Sequence, residues 1–400
     1  MGVSISYMGT KKGLAPAVAE VIRQAKPGIL LDAFAGMCSV GEEVGPARQI
    51  WANDIQIFAA QIATALFTAH DEPISSIAAA DLHWDLFEEH RHHLEKRFKP
   101  SLVAEDELLE STGFTVFSKR SIRLEKQLKQ TLGRVRQRQY TLFTTLYSNS
   151  YFGLRQAIEA DAIVRAVEIT RRTSAINDDH KRWFTIALGR ALLRISNSTG
   201  HFAQFLKPKE SSFKRYLSQR HRSLWSEWLS SVGELQPVGT MDWRHRNKSF
   251  NQDSLSLLPQ LTREKQCPAV IYADPPYTDD QYSRYYHILE TLVLYDYPST
   301  SGAGLYRPDR FCTPFSHKSK APQAFDCFVK AAADTRADLV LSYPSNGLLH
   351  DAGINPGQIL RKHYRSVRCC RRIPHSHSTF GASKGVAQSK VTELIYLAQL

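Results

Sequence analysis

Pro268-Ala-Val-Ile-Tyr-Ala-Asp-Pro-Pro-Tyr277 is an apolar run that stops at a carboxylate and two prolines. Its length and composition predict a strand buried on both faces, and the Pro-Pro pair ends it. In open α/β sheets ligands bind beyond the carboxyl ends of the strands, so Asp274, Pro275, Pro276 and Tyr277 become candidate functional residues. A conjugated exocyclic amine is a poor nucleophile because its lone pair is delocalised into the ring. A carboxylate on Asp274 accepting one N–H, with the Pro275 carbonyl accepting the other, localises that lone pair, and the effect grows as the transition state develops. Consecutive prolines fix φ and bring no competing N–H. Tyr277 offers an aromatic face on which an extruded base can stack.

Working upstream, residues 28–34 (GILLDAF) and 49–54 (QIWAND) read as short strands, and 57–70 as a helix. Residues 76–82 (SIAAADL) read as a third strand. The small-residue loop 32–38 (DAFAGMC) lets backbone approach a nucleotide closely, although Cys38 stands where a second glycine is expected. Asp54, ending the second strand, is placed to hold ribose hydroxyls. Asp81 has two even readings: an acceptor for the adenine of a cofactor, or the N-cap of a helix over 82–98. Downstream, 285–296 reads as a helix, 337–343 as a strand and 390–398 as a final or penultimate strand. Residues 342–347 (SYPSNG) either border the cleft or form a plain hairpin turn. Alternation of strand and helix predicts a mainly parallel α/β sheet of seven strands built from 1–100 and 266–400.

Residues 101–265 differ in character, being helical and basic. Between 118 and 265 there are 27 Lys and Arg against 12 Asp and Glu, a surplus of 15 in a chain whose total is +12. A basic excess confined to one segment points to a polyanion-facing surface, with a solvated helical face as the bland alternative. Residues 183–195 and 213–228 carry apolar stripes at helical spacing, which predict core. His83, His90, His92 and His93 lie in a charged helical stretch and are expected to face solvent. The six cysteines show neither C-x-x-C pairs nor a disulfide framework, so free thiols and a cytoplasmic location are expected. No signal or membrane-length apolar run is present. The start MGVSIS fits only the loose myristoylation pattern, and His375 and His377 with Cys369 and Cys370 match no zinc spacing, so no metal is expected.

Taken in order, YMGTK (7–11), DAFAG (32–36), Asn53-Asp54, Asp81, a long insertion and DPPY (274–277) resemble the Dam-like (α-group) adenine-specific DNA methyltransferases. The resemblance implies a Rossmann-like S-adenosyl-L-methionine-dependent methyltransferase sheet with a helical target-recognition insertion at 101–265. It implies a cofactor pocket of Tyr7, Lys11, Asp32, Phe34, Gly36, Asp54, Asp81 and Asp274, and a target-adenine site at Asp274 to Tyr277. Segments 148–157 and 198–206 are similar to family segments near the insertion and add Arg155 and His201 as DNA-binding candidates. Arg134, Arg136 and Arg138 are the candidates from the basic run. The implied activity is transfer of a methyl group to N6 of adenine in double-stranded DNA, in a bacterial restriction-modification or phage-defence setting. A cognate restriction endonuclease is an implied partner, and the protein would be nucleoid-associated in use. Cytosine 4-amino groups, RNA adenine and a non-catalytic DNA-binding role remain open alternatives.

Overall fold

The computed structural model describes residues 12–132, 140–378 and 388–400. Seven strands form one sheet: β1 Leu30–Asp32, β2 Ile50–Asn53, β3 Lys248–Phe250, β4 Val270–Ala273, β5 Asp338–Pro344, β6 Ser366–Ser378 and β7 Gln388–Gln399. Their order is β3-β2-β1-β4-β5-β7-β6. The first five run parallel, and β7 pairs antiparallel with both β5 and β6. This is the Rossmann-like arrangement, and the order turns back on itself between β1 and β4.

Side chains alternate across the sheet as the pleat requires. Leu30, Ile50, Val270 and Val340 enter one core, while Leu31, Trp51, Ile271 and Leu339 enter the other. Helices Ala15–Arg23, Ile57–Phe67 and Ser283–Leu294 cover the first face. Helices Ser254–Arg263, Ala321–Asp334 and Pro356–His363 cover the second. The apolar stripes of Leu154–Arg172 and Asp178–Ile195 also enter the first core, with Trp183, Ile186, Ala191 and Ile195 buried. These two helices therefore extend the sheet's core. A smaller cluster joins Ser76–Leu109 to Phe114–Leu132 through Leu94, Phe98, Phe117 and Leu124.

Three sequence expectations are corrected here. Residues 76–82 are not a strand; they open the 34-residue helix Ser76–Leu109, with Ser75 accepting from the Ala78 N–H at 3.3 Å. Ser75 caps an alanine run of high helix propensity, and Ile77 is 75 % exposed, so no buried strand face exists there. The third strand is β3, helices Ser76–Leu109 to Met241–Arg244 stand between helix Ile57–Phe67 and β3, and helix Ser76–Leu109 runs across the expected boundary at residue 100. His83 and His90 are buried: His83 bonds the Ala79 carbonyl at 2.7 Å and the Thr170 hydroxyl at 3.1 Å, and His90 bonds the Tyr140 carbonyl at 2.9 Å.

Carboxylates from one helix satisfy the orphan N–H groups that open another. Glu105 accepts from Leu154 and Arg155 at 2.6 and 2.9 Å, and Glu159 from Leu224 and Trp225 at 2.6 and 3.0 Å. Asp161 accepts from Phe143 and Thr144 at 2.9 and 2.8 Å and from the Tyr295 hydroxyl at 2.5 Å. Replacing Asp161 with Ala strands these buried donors, so urea denaturation should show a loss of about 3 kcal/mol. A loss below about 0.5 kcal/mol would contradict this role.

Candidate active site

The loops that follow β1, β2, β3 and β4 are tied into one rim. The Ala35 N–H donates to the Asn53 carbonyl at 2.9 Å and the Ala33 N–H to the Tyr272 carbonyl at 3.0 Å. The Asn53 amide donates to the carbonyls of Ala33 and Gln252, both at 3.1 Å. Inside this rim lies an open cleft of about 1020 Å³. Asp32, Phe34, Gly36, Asp54, Asp274, Pro276 and Tyr277 line it.

The loop after β1 turns sharply at Gly36 (φ 50°) and Cys38 (φ 63°). Cys38 thus adopts the left-handed conformation that glycine takes most easily. Its side chain is wholly buried in the first core, away from the cleft. The Gly36 and Gln56 N–H groups each donate to one oxygen of Asp54, both at 2.8 Å, which fixes that carboxylate at the cleft wall. Phe34 packs against Phe315 and Phe328 at 5.5 and 5.3 Å between ring centroids, so its ring braces the loop as well as lining the cleft.

Burial dominates the electrostatics. It pushes the Asp32 carboxyl up to about 8; the Phe34 N–H opposes this, and the nearby Asp274 and Asp54 add to it. Burial also raises Asp54 to about 6, against the pull of the backbone N–H groups of Gln56, Gly36 and Ile55. One oxygen of Asp32 is buried with no hydrogen-bond partner. An unpartnered carboxylate oxygen in a cleft wall suits a cationic group, which would supply the missing donor and charge.

Tyr277 is buried, its ring edge-on to Tyr343 at 6.4 Å and its hydroxyl hydrogen-bonded to Tyr282. Pro275 is buried and does not line the cleft, which leaves Asp274, Pro276 and Tyr277 facing it. The turn 342–347 is not a hairpin. It leads into the short helix Leu348–Asp351, and the Leu348 N–H donates to the Tyr277 carbonyl at 2.9 Å.

Asp81 is corrected: it sits exposed on helix Ser76–Leu109, ends no strand and does not line the cleft. The place after the third strand belongs to Gln252, Asp253 and Ser254, and Asp253 also caps helix Ser254–Arg263. Sequence reading missed them because β3 is short and only half-buried, without an apolar signal. It also missed Gln281, Tyr282 and Ser283, and Phe311, Thr313 and Phe315, which close the remaining wall. Arg155 lies away from the cleft, its guanidinium held by Asp106 at 2.8 Å and Glu95 at 3.3 Å, so a DNA contact would have to displace both. His201 packs on Tyr285 at 4.9 Å, beside the cleft wall. Tyr7, Lys11, Arg134, Arg136 and Arg138 lie outside the described residues, as do the side chains of His375 and His377. Among the described residues no group of three or more His, Cys, Asp or Glu is placed to hold a metal.

Residues 243–339, from just before β3 into β5, match the family of D12 class N6 adenine-specific DNA methyltransferases. This quarter of the chain is similar to the D12-class methyltransferases. The chain is 28 % identical over 214 residues to the type II methyltransferase M.FokI of Planomicrobium okeanokoites, covering 53 % of this chain and 29 % of that protein. It is 22 % identical over 400 residues to the modification methylase StsI of Streptococcus sanguinis, covering 98 % of this chain and 51 % of that one. Against M.NlaIII of Neisseria lactamica the identity is 24 % over 202 residues, 50 % of this chain and 52 % of the relative. The chain thus spans at most about half the length of these relatives. No solved structure matches it.

Methyltransferases of this family imply S-adenosylmethionine, whose ammonium group fits the orphan Asp32 oxygen. With its pKa raised to about 8, Asp32 is neutral at pH 6.5, and a bound ammonium favours its ionised form. Calorimetry of S-adenosylhomocysteine at pH 6.5, in buffers of different ionisation enthalpy, should therefore show release of about one proton, absent in Asp32→Asn. Equal proton release in both proteins would place the ammonium elsewhere.

Proposed function

We propose that this chain transfers the methyl group of S-adenosylmethionine to N6 of adenine in double-stranded DNA. The observation that carries the reading is the convergence of Asp32, Asp54, Asp274 and Tyr277 on one cleft at the carboxyl ends of β1, β2 and β4. The family matched by residues 243–339 acts at the same atom, and the similar relatives are modification methylases.

When bound, the cofactor supplies an electrophilic methyl group on a sulfonium. Asp32 and Asp54 hold its ammonium and its ribose hydroxyls, and Gly36 leaves room for close backbone approach. Asp274 accepts an N–H of the adenine amino group and turns the nitrogen lone pair towards the methyl group. It also receives or relays the proton after transfer, because an aromatic amine is too weak an acid to lose it first. Pro275 and Pro276 hold this carboxylate in place by fixing φ at two successive positions. The ring of Tyr277 gives the extruded base a stacking surface. Aromatic walls from Phe34, Tyr282, Phe311 and Phe315 keep the cleft dry, which strengthens each polar contact within it. The chain up to helix Ile57–Phe67 and from β3 onward forms the methyltransferase unit, and the helices between them form the recognition insertion. The duplex meets exposed Lys207, Lys209, Lys214 and Arg215, which follow the loop packed on Tyr285 and carry no ion pair among the described residues. A modification role beside a cognate endonuclease follows from the same kinship.

Asp274→Ala should leave duplex affinity largely intact and lower methyl transfer by at least a hundred- to thousandfold, read as labelled methyl incorporated into DNA. Near-normal turnover in that variant would remove the role given to the carboxylate.

A further inference from the structure

At the mouth of the cleft two chain segments are clipped together: the Ser283 hydroxyl donates to the Phe311 carbonyl at 2.7 Å. Both residues line the cleft, and each has an arginine as its chain neighbour. Arg284 and Arg310 share one aromatic platform. Their guanidinium carbons lie 5.4 and 4.7 Å from the centre of the Tyr306 ring, and Arg284 donates to the Tyr306 hydroxyl at 3.3 Å.

The platform is fixed from the protein side. The Tyr306 hydroxyl donates to the Ala203 carbonyl, and the ring packs edge-on to buried His287 at 5.2 Å. Tyr151 donates to the carbonyls of Phe202 and Gly304 at 2.6 and 3.0 Å, drawing the two loops together. Gly304 permits this approach, because a Cβ there would come within 2.5 Å of the Ala203 carbonyl.

Charge in the neighbourhood is incompletely balanced. Arg307 is held by both Asp296 and Asp309, at 2.7 and 2.8 Å, and Lys318 lies 3.8 Å from Asp279. Among the described residues Arg284 has one loose ion-pair contact, with Asp280 at 3.6 Å, while Arg310 donates to the Arg307 carbonyl at 3.1 Å and forms no ion pair. Each guanidinium carries five N–H donors, so an oxyanion within reach of both accepts charge-assisted hydrogen bonds from each. The anion that fits is a phosphodiester, since the pair stands one residue from the walls into which a base must pass.

We propose that Arg284 and Arg310, stacked on Tyr306, form a clamp for the backbone phosphate flanking the nucleotide whose base enters the cleft. The clamp rests on the methylation reading and adds to it a fixed point from which the base is swung. It also lies against the inserted loop at 201–206, so the duplex is held where recognition and chemistry meet.

The test uses the full chain and a short duplex bearing the site found by sequencing DNA that the wild type has methylated. A neutral methylphosphonate is walked through the positions on either side of the target adenine. At one position it should weaken wild-type binding about tenfold, and Arg284→Gln/Arg310→Gln should show no further loss there. The double variant should also lower the slope of log K against log salt by about 1, with S-adenosylmethionine affinity unchanged. Arg310→Lys should keep the slope, which separates lost charge from a damaged fold. A methylphosphonate penalty equal in variant and wild type, or an unchanged salt slope, would overturn the clamp. If the wild type transfers no methyl group to any DNA, the methylation reading fails instead. The salt slope on a random-sequence duplex then still decides the clamp.

Discussion

β1 and β4 lie side by side, with Asp32 opposite Tyr272, so Asp274 emerges two residues beyond the pair. Through β2, Asp54 arrives at the same edge. One sheet register therefore gathers three carboxylates at one rim, and burial raises the pKa of two of them, Asp32 and Asp54. The carboxyl of Asp32 rises from 3.8 in the open chain to about 8 when folded. The unfolded chain thus ionises first, and stability falls by a few kcal/mol as pH climbs from about 4 to about 8. A cationic ligand group reverses that penalty. Binding at the rim and folding of the rim are thereby parts of one balance.

The helices hold the rim by the same electrostatic device at longer range. Helix Ile57–Phe67 begins directly after the Asp54 loop without a cap of its own from Gln56. Its first N–H groups, those of Ile57 and Phe58, donate instead to Glu290 at 3.1 and 2.8 Å. Glu290 belongs to Ser283–Leu294, the helix that follows the Asp-Pro-Pro-Tyr turn. The loop assigned to the cofactor and the turn assigned to the base are thereby fastened by one carboxylate, which burial lifts to about 7. Glu105, Glu159 and Asp161 repeat the arrangement within the insertion, which explains how so many short helices share the core of the sheet.

Strong apolar runs made β1, β2, β4, β5 and β7 legible in the sequence, and their carboxyl ends led to Asp32, Asp54 and Asp274. β3 was hidden because Lys248-Ser249-Phe250 is half-buried and carries one apolar residue. That gap let an alanine-rich helix start pass for the third strand and drew Asp81 into the pocket. The basic surplus of the insertion was visible, but its disposition was not. Arg165 pairs with Glu89, Arg182 with Asp179, Arg194 with Glu234 and Arg222 with Glu227, while Arg220 and Arg244 are buried. A charge count cannot tell a spent guanidinium from a free one. Arg284 and Arg310 escaped notice for the opposite reason, lying outside the basic segment and meeting only through a fold contact.

The central claim is that the cleft brings a methyl donor and one flipped adenine together. Unmethylated plasmid DNA incubated with the purified chain and methyl-labelled S-adenosylmethionine, then digested to nucleosides and resolved by mass spectrometry, tests it most directly. The account predicts label in N6-methyldeoxyadenosine alone. Label in N4-methyldeoxycytidine, or none in DNA from a protein that binds both duplex and cofactor, would contradict it.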